Sequence, residues 1–246
     1  GEISRVRVQP ASASKMAPPP EFVLEGPHGV IRDAAMTLPG YLRTGADQGV
    51  FTQSGGLVDL STVPAAFTDD QIGFIIAGGS GTKGGYALTG GTLVTCSNHP
   101  AYLSGDAASG TFEQSGGTST FYRLNLTRPW PATGGSGVLS LFGGTLRLIG
   151  LAEKGYGAGA VNLSGGRVET FTNGIAIAAD VPVTLTTGDA GDTAFAQAGA
   201  GQTNTLAGTL SGTGGLVQEG PGALALAGMN TFGGRAAVRG GALRIV

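Results

Sequence analysis

A short phrase built around two adjacent glycines returns along this chain and constrains its fold more than any other feature. Its clearest copies are FTQSGGLVDL, YALTGGTLVT, FEQSGGTSTF, LSLFGGTLRL and VNLSGGRVET, which begin at Phe51, Tyr86, Phe112, Leu139 and Val161. Each copy has an apolar or aromatic residue four positions before the doublet and mostly β-forming residues after it. Glycine adopts the positive φ angles of tight bends, and Val, Leu, Thr and Phe suit a pleated strand. Each copy therefore predicts a strand, a tight turn and a second strand.

The spacing of the doublets predicts how these units are arranged. The predicted turn glycines are the first members of the doublets: Gly55, Gly90, Gly116, Gly143, Gly165, Gly214 and Gly240. If Gly188, after the strand-like VPVTLTT, marks a degenerate copy, the phrase recurs about every 26 residues, within the roughly 20–50 residues of repeat architectures. In a parallel β-solenoid, each turn stacks about 4.8 Å from the previous one, so the same bend is required once per turn. An antiparallel sandwich gives no reason for that recurrence.

The abundance of glycine argues against helices in the same region. Glycine accounts for 47 of 246 residues, and each glycine inside a helix costs about 1 kcal/mol. No window in the repeat region carries a helical apolar stripe that is free of glycine. We therefore predict an all-β, single-domain parallel β-solenoid (β-helix) over residues 26–246, with about eight turns and a length of roughly 40 Å. Residues 1–25 are predicted to be an extended N-terminal arm with a proline-rich linker.

The last part of the chain, residues 208–246, carries a more specific pattern. It reads GTLSGTGGLVQEGPGALALAGMNTFGGRAAVRGGALRIV. This segment resembles the autotransporter-associated β-strand repeat, also called the passenger-associated transport repeat. The matching residues are Gly220, Gly222, Leu224, Leu226, Gly228, Asn230, Thr231, Phe232, Gly234, Gly240, Gly241 and Leu243.

The resemblance implies a secreted bacterial β-solenoid of the kind found in autotransporter passengers and other large surface proteins. In autotransporters the repeat is associated with export and folding of the passenger. Because the sequence stops at Val246, we expect a processed product, a fragment, or a protein exported by another route.

The two ends of the chain suggest a contact between subunits. The segment EISRVRV reads as a short strand on a tether, PASASKMAPPPE, and two alternatives are open for it. It either folds back to cap its own solenoid or adds to the sheet edge of a neighbouring subunit. At the other end, ALRIV predicts an uncovered sheet edge, which indicates either truncation or a partner. The predicted assembly residues are Ile3, Val6, Val8, Leu243, Ile245 and Val246.

Charge, cysteine and histidine content give little support to catalysis. The formal net charge is −2, so no cationic footprint for nucleic acid or an anionic membrane is visible. No apolar run approaches about 18 residues, so we predict no membrane span. Cys96 is the sole cysteine and is expected to be a small buried hydrophobe, and the two histidines, His28 and His99, are far apart. We predict no catalytic residue, no metal and no cofactor.

Several weaker motifs have ordinary structural explanations. GSGTKG at 79–84 matches a dinucleotide fingerprint, but the following YALTGGTLV predicts a strand and not the required helix. The acidic pairs Asp69–Asp70 and Asp189/Asp192 lie in turn-like segments, which favours backbone capping over calcium. The sequons at Asn125 and Asn162 are expected to be coincidental in a bacterial protein. Three aromatic residues can either stack on sugars or cover a thin core: Tyr122, Trp130 and Tyr156.

Three functions remain open on the sequence. The first is a non-catalytic extracellular structural protein that assembles head to tail into a bacterial surface fibre or sheath, because a contact between unlike ends does not close. The second is an autotransporter-like passenger fragment that acts as an adhesin. The third is a polysaccharide-degrading β-helix enzyme. We expect a secreted or cell-surface location, self-association as the main partnership, and a host or matrix glycan as a second candidate partner.

Overall fold

The computed structural model describes the side chains of residues 49–61, 74–129, 134–171, 173–188, 191–197 and 199–246. For five earlier strands it describes the backbone alone. Three of these strands contain Gly29, Met36 and Arg43. All of these segments are strands, turns or extended chain, and the described residues include no helix.

The strands are short and follow one another closely along the chain. Those of the first half are β1 Val6–Gln9, β2 Glu21–Leu24, β3 His28–Ile31, β4 Ala35–Thr37, β5 Leu42–Thr44, β6 Val50–Asp59, β7 Phe74–Ala77, β8 Lys83–Val94, β9 Ala101–Ser104, β10 Ser109–Gln114, β11 Thr118–Phe121 and β12 Leu124–Thr127. Those of the second half are β13 Ser136–Leu141, β14 Thr145–Leu148, β15 Ala152–Glu153, β16 Ala158–Leu163, β17 Arg167–Thr170, β18 Gly174–Ile177, β19 Val183–Leu185, β20 Thr193–Gln197, β21 Thr203–Leu206, β22 Leu210–Gly212, β23 Leu216–Gln218, β24 Ala223–Leu226, β25 Ala236–Val238 and β26 Ala242–Ile245.

These strands stack on three sides of a coil. Side A contains β7, β9, β12, β15, β18, β21, β24 and β26, side B contains β10, β13, β16, β19 and β22, and side C contains β11, β14, β17, β20, β23 and β25. The long strand β8 runs along side B, bends, and continues along side C, because its first half pairs with β10 and its second half with β11. Strand β6 follows the same bent path, because it pairs with both halves of β8. From β10 to β24, five consecutive turns each contribute one strand to each side.

The register shows that the turns are unequal in length. Ser136 lies opposite Ser109 on one neighbouring strand and opposite Ala158 on the other, and the second interval along the chain is the shorter one. The pairings between solenoid layers are nevertheless all parallel along this stack, so the prediction of an all-β parallel β-solenoid is confirmed. The predicted number of about eight turns is not confirmed.

The amino-terminal strand pairs with its own chain. Strand β1 lies antiparallel to β2, with Val6 opposite Leu24 and Val8 opposite Phe22. Of the two alternatives for this segment, the described backbone therefore corresponds to the strand that folds back, and the extended arm is not confirmed. Ile3 lies outside the described residues.

The core consists of columns of buried side chains that run along the coil axis. On side B, the column is Phe51, Tyr86, Phe112, Leu139, Val161, Val183 and Leu210. Along β10 on this side, fully buried residues alternate with more exposed ones, so equivalent positions in successive layers meet inside. The first layers are aromatic: the Tyr86 and Phe112 rings stack at 5.7 Å, and Phe121 contacts Phe112 edge-on at 5.2 Å.

A buried tyrosine in this core predicts sensitivity to alkali. The Tyr86 hydroxyl donates a hydrogen bond of 2.6 Å to Oε1 of Gln53, and burial raises the pKa of Tyr86 well above its usual value. Because the unfolded chain releases this proton near pH 10 and the folded chain does not, stability is complete below pH 10 and falls as the pH rises. We expect the free energy of unfolding to fall above pH 10 by up to about 1.4 kcal/mol per pH unit for this group. Urea titrations between pH 9 and 11.5 measure it.

Two substitutions test whether Tyr86 causes this loss of stability in alkali. Tyr86→Phe should reduce the slope of stability against pH, although it lowers stability at neutral pH by about 1 kcal/mol because Oε1 of Gln53 loses its donor. Tyr156→Phe removes an exposed tyrosine and should leave the slope unchanged. Equal slopes in the wild-type chain and Tyr86→Phe would contradict the prediction.

Candidate functional site

The predicted turn glycines lie at corners of the coil. Gly55, Gly90, Gly116, Gly143, Gly165 and Gly214 lie at the bend between sides B and C, whereas Gly240 lies between sides C and A. Gly188, the suspected degenerate copy, also lies at the bend between sides B and C, above Ser164.

The stacking of these corners explains why glycine is required. A Cβ atom on Gly143 would lie 2.6 Å from the carbonyl oxygen of Ser115, and one on Gly144 would lie 2.5 Å from that of Gly117. The second glycine of the doublet also has a positive φ, for example +75° at Gly144. Neighbouring backbones therefore touch at this corner, and a side chain has neither the space nor the φ angle that it needs.

Two glutamines fill the corner from inside, and our sequence analysis missed them. Gln114 is buried, and its Nε2 donates to the carbonyl oxygens of Gly117 at 3.2 Å and Thr145 at 3.0 Å. Its Oε1 accepts a hydrogen bond of 2.6 Å from the Ser119 hydroxyl. Gln53 occupies the equivalent position and donates to Gly55, Gly56 and Thr92. The available signal was the glutamine two positions before the doublet in FTQSGG and FEQSGG.

Apart from Ile3, which lies outside the described residues, the predicted assembly residues lie at opposite ends of one sheet. Strand β1, which contains Val6 and Val8, is the first strand of the sheet that forms side A, and β26 is the last. At the β26 end, Leu243 packs against the core, whereas Ile245 and Val246 are 74% and 71% exposed. The described residues thus do not bring the two predicted sets into contact within one chain.

A cleft of about 270 Å³ lies where three successive strands of side A end. We call it the Tyr156 cleft. It is lined by Asn125, Pro129, Glu153, Gly155, Tyr156, Ala178 and Asp180, which belong to or follow β12, β15 and β18. Tyr156 is 65% exposed, and Lys154 lies 3.8 Å from the Asp180 carboxylate.

Asn125 lies at the inner wall of the Tyr156 cleft. It is only 3% exposed, and its Oδ1 has no hydrogen-bond partner among the described residues. Its side chain is hydrogen-bonded to Tyr102, whose pKa is raised mainly by burial and lowered in part by Arg128. Burial also shows that Asn125 cannot serve as the glycan acceptor of its sequon.

A second cleft, of about 340 Å³, lies on side C. Its lining includes Arg147, Arg167 and Glu169, which belong to a continuous series of ion pairs between five charged side chains. We call this series the arginine ladder: Arg147–Glu169 at 2.9 Å, Glu169–Arg167 at 2.9 Å, Arg167–Glu219 at 2.7 Å and Glu219–Arg239 at 3.0 Å. Phe171 and Gln197 complete the wall of the cleft. The ladder crosses several layers, and exposed ion pairs of this kind contribute little each unless they form a network.

The remaining motif residues that the structure describes lie in ordinary structural settings. Lys83, in GSGTKG, begins strand β8, so no helix follows the glycines. Asp192 pairs with Arg235 at 2.7 Å and accepts a hydrogen bond from the Gly215 backbone at 3.2 Å. Cys96 and His99 are buried. Asp69, Asp70, Asp189 and Trp130 lie outside the described residues, and Tyr122 is half-buried.

No cluster of acidic, histidine or cysteine side chains suited to a metal ion occurs in the described part of the chain. Nor do the residues described here include a helix long and apolar enough to cross a bilayer.

Comparison with known proteins gives one informative likeness. No protein-family model matches the chain, and no solved structure matches it. The chain is 31% identical over 224 residues to the protein named "Adhesin BmaC autotransporter" of Brucella suis biovar 1 (strain 1330). This match covers 77% of the chain but only 6% of that much longer protein. The chain is therefore similar, over most of its length, to a small part of an autotransporter adhesin.

Proposed function

We propose that this chain is a non-catalytic β-solenoid segment of a bacterial surface adhesin, of the kind carried in an autotransporter passenger. The observation that carries the proposal is the 31% identity to an autotransporter adhesin, which extends over 77% of the chain. An adhesin must hold its binding surface away from the cell, and a stack of hydrogen-bonded layers is suited to that task. Its location would be secreted or at the cell surface.

The physical properties of the solenoid support this function. Every layer pairs its backbone with the next layer, and buried columns run continuously through the stack. A rod of this kind is held by nearest-neighbour contacts and stays stiff as layers are added. Loops at the ends of the strands are free to vary without disturbing the columns, and these loops carry the Tyr156 cleft.

Two finer parts of the proposal concern export and length. We assign residues 208–246 to the autotransporter-associated repeat on the residues of the Gly-x-Gly-x-Leu-x-Leu run, Gly220, Gly222, Leu224 and Leu226. In that role they would promote export and folding of the passenger. About eight turns in the whole chain would follow from the recurrence of the glycine doublet.

The head-to-tail fibre or sheath is the second candidate. The exposed Ile245 and Val246 on the last described layer favour it, because an uncovered strand edge is a template for pairing. The same edge would equally accept a further turn of a longer chain. In a fibre, the amino-terminal strand or the layer beside it would meet this edge in the next subunit.

Adhesion is tested with the whole chain attached to a particle. Fluorescent beads that carry the folded 246-residue chain should attach to cultured epithelial cells at least tenfold more than beads that carry the heat-unfolded chain. The unfolded chain controls for charge and glycine content, because only the stacked layers present the clefts. Attachment counted by flow cytometry gives the measurement.

Two further measurements separate the candidates. Sedimentation velocity should give a single species at the mass of the monomer, 24.3 kDa, whereas concentration-dependent polymers would favour the fibre. Incubation with acidic and neutral polysaccharides should release no reducing sugar. Equal attachment of folded and unfolded chains, or release of sugar, would contradict the proposal.

A further inference from the structure

We infer that the Tyr156 cleft binds a neutral saccharide, through stacking on Tyr156 and hydrogen bonds from sugar hydroxyls to Glu153 and Asp180. This inference deepens the proposed adhesin function, on which it rests, by assigning a ligand class and a site.

The dimensions of the cleft fit a short sugar chain. Its walls come from the ends of β12, β15 and β18, which lie in three successive layers. Three layers spaced by about 4.8 Å extend over roughly 10 Å, the length of about two sugar rings. The volume of about 270 Å³ is likewise sufficient for part of an oligosaccharide.

The exposed aromatic ring stands on a fixed turn. The backbone N–H of Tyr156 donates to the carbonyl oxygen of Arg128 at 3.1 Å. On either side, the Thr127 hydroxyl donates to the carbonyl oxygen of Lys154 at 2.7 Å and accepts from the N–H of Gly157 at 2.9 Å. Holding a side chain on an ordered backbone reduces the entropy lost on binding. Tyr156 thus presents an exposed ring from a fixed point of the backbone, and the apolar face of that ring suits the C–H face of a sugar.

The polar groups of the cleft accept hydrogen bonds. Glu153 and Asp180 contribute carboxylate oxygens to the lining, whereas the Oδ1 of Asn125 is buried beneath it. Sugar hydroxyl groups supply donors to these two carboxylates.

The same charges select against acidic sugars. The charged side chains in the lining of the cleft are two carboxylates, Glu153 and Asp180, and the Lys154 ammonium lies 3.8 Å from Asp180. A uronate, sialate or sulfate group would be repelled there, whereas a neutral sugar would not.

A glycan microarray and calorimetry test this inference with the whole chain. The array carries neutral probes (lactose, maltose, cellobiose and chitobiose) beside acidic ones (sialyllactose, hyaluronan fragments and heparin tetrasaccharide). We expect binding to at least one neutral probe and to none of the acidic probes. Titration calorimetry with the best neutral probe then compares the variants.

The variants separate the cleft from the rest of the surface. Tyr156→Ala should weaken binding at least tenfold, whereas Tyr156→Phe, which keeps the ring, should stay within threefold of the wild type. Glu153→Gln should weaken binding several-fold. The control is Phe142→Ala, which removes an exposed aromatic residue beside the glycine corner and should leave affinity unchanged. Circular dichroism melting shows whether each variant remains folded.

The outcomes distinguish this inference from the adhesin proposal. Attachment of beads to cells that is unaffected by Tyr156→Ala and Glu153→Gln would overturn the inference and leave the adhesin function standing. Beads that do not attach at all would contradict both. Binding only to acidic probes, or a calcium ion bound with micromolar affinity in calorimetry without sugar, would also overturn the assignment to a neutral saccharide.

Discussion

Replacing Gly144 by alanine is expected to lower the free energy of unfolding by about 3 kcal/mol or more, since both strain and overlap follow. The φ angle of +75° at this position disfavours any residue with a Cβ atom. The new Cβ would also lie 2.5 Å from the carbonyl oxygen of Gly117 in the layer below, an atom that cannot move without separating two hydrogen-bonded layers. Urea unfolding monitored by far-ultraviolet circular dichroism measures the loss.

Gly81 supplies a matched control for this substitution. Its φ angle is also +75°, but nothing lies within 4 Å of the position of an added Cβ atom. Gly81→Ala should therefore show only the conformational cost, about 1–2 kcal/mol. If the two variants lose the same stability, contact between stacked backbones does not explain the recurring doublet.

Truncating Phe112 to alanine should cost about 4 kcal/mol. The ring is fully buried, stacks on Tyr86 at 5.7 Å and contacts Phe121 at 5.2 Å. Its loss leaves a cavity between layers that hydrogen bonds hold at a fixed spacing, so the backbones cannot close around it. Urea unfolding again gives the change in stability.

The next layer indicates the control for Phe112. Leu139 occupies the same inward column one turn later, so leucine is compatible with the backbone at this position. Phe112→Leu should cost less than about 1.5 kcal/mol. A loss as large as that of the alanine variant would mean that ring stacking, and not filled volume, stabilises this part of the core.

The sequence predicted the coil well because its signals are local. The doublet at Gly143–Gly144 reflects a φ angle and a backbone approach that only glycine satisfies, and both requirements return at successive corners. The alternation of buried and exposed residues along β10 likewise follows from the pleat. Short segments therefore reveal the strands, the bend and the lack of helical pattern.

The Tyr156 cleft was beyond sequence reasoning because it depends on register. Asn125 lies opposite Glu153, whereas Ser136 lies opposite Ala158, and the two pairs are separated by different lengths of chain. Since loops of different length separate the strands, a fixed period cannot show which polar residues become neighbours. The hydrogen bond of the Gln114 amide was equally hard to predict, because its partner Thr145 belongs to the following layer.

Unequal turn lengths also affect how the surface of the solenoid can change in evolution. Longer and shorter turns are accommodated by identical strand pairing on either side of β13, so residues gained or lost between strands are absorbed outside the hydrogen-bonded columns. Insertions near Gly155 or Asp180 would thus remodel a recognition surface at a cost confined to the adjoining layers. A long passenger built this way can accumulate many distinct binding surfaces along its length while every layer folds by the same rule.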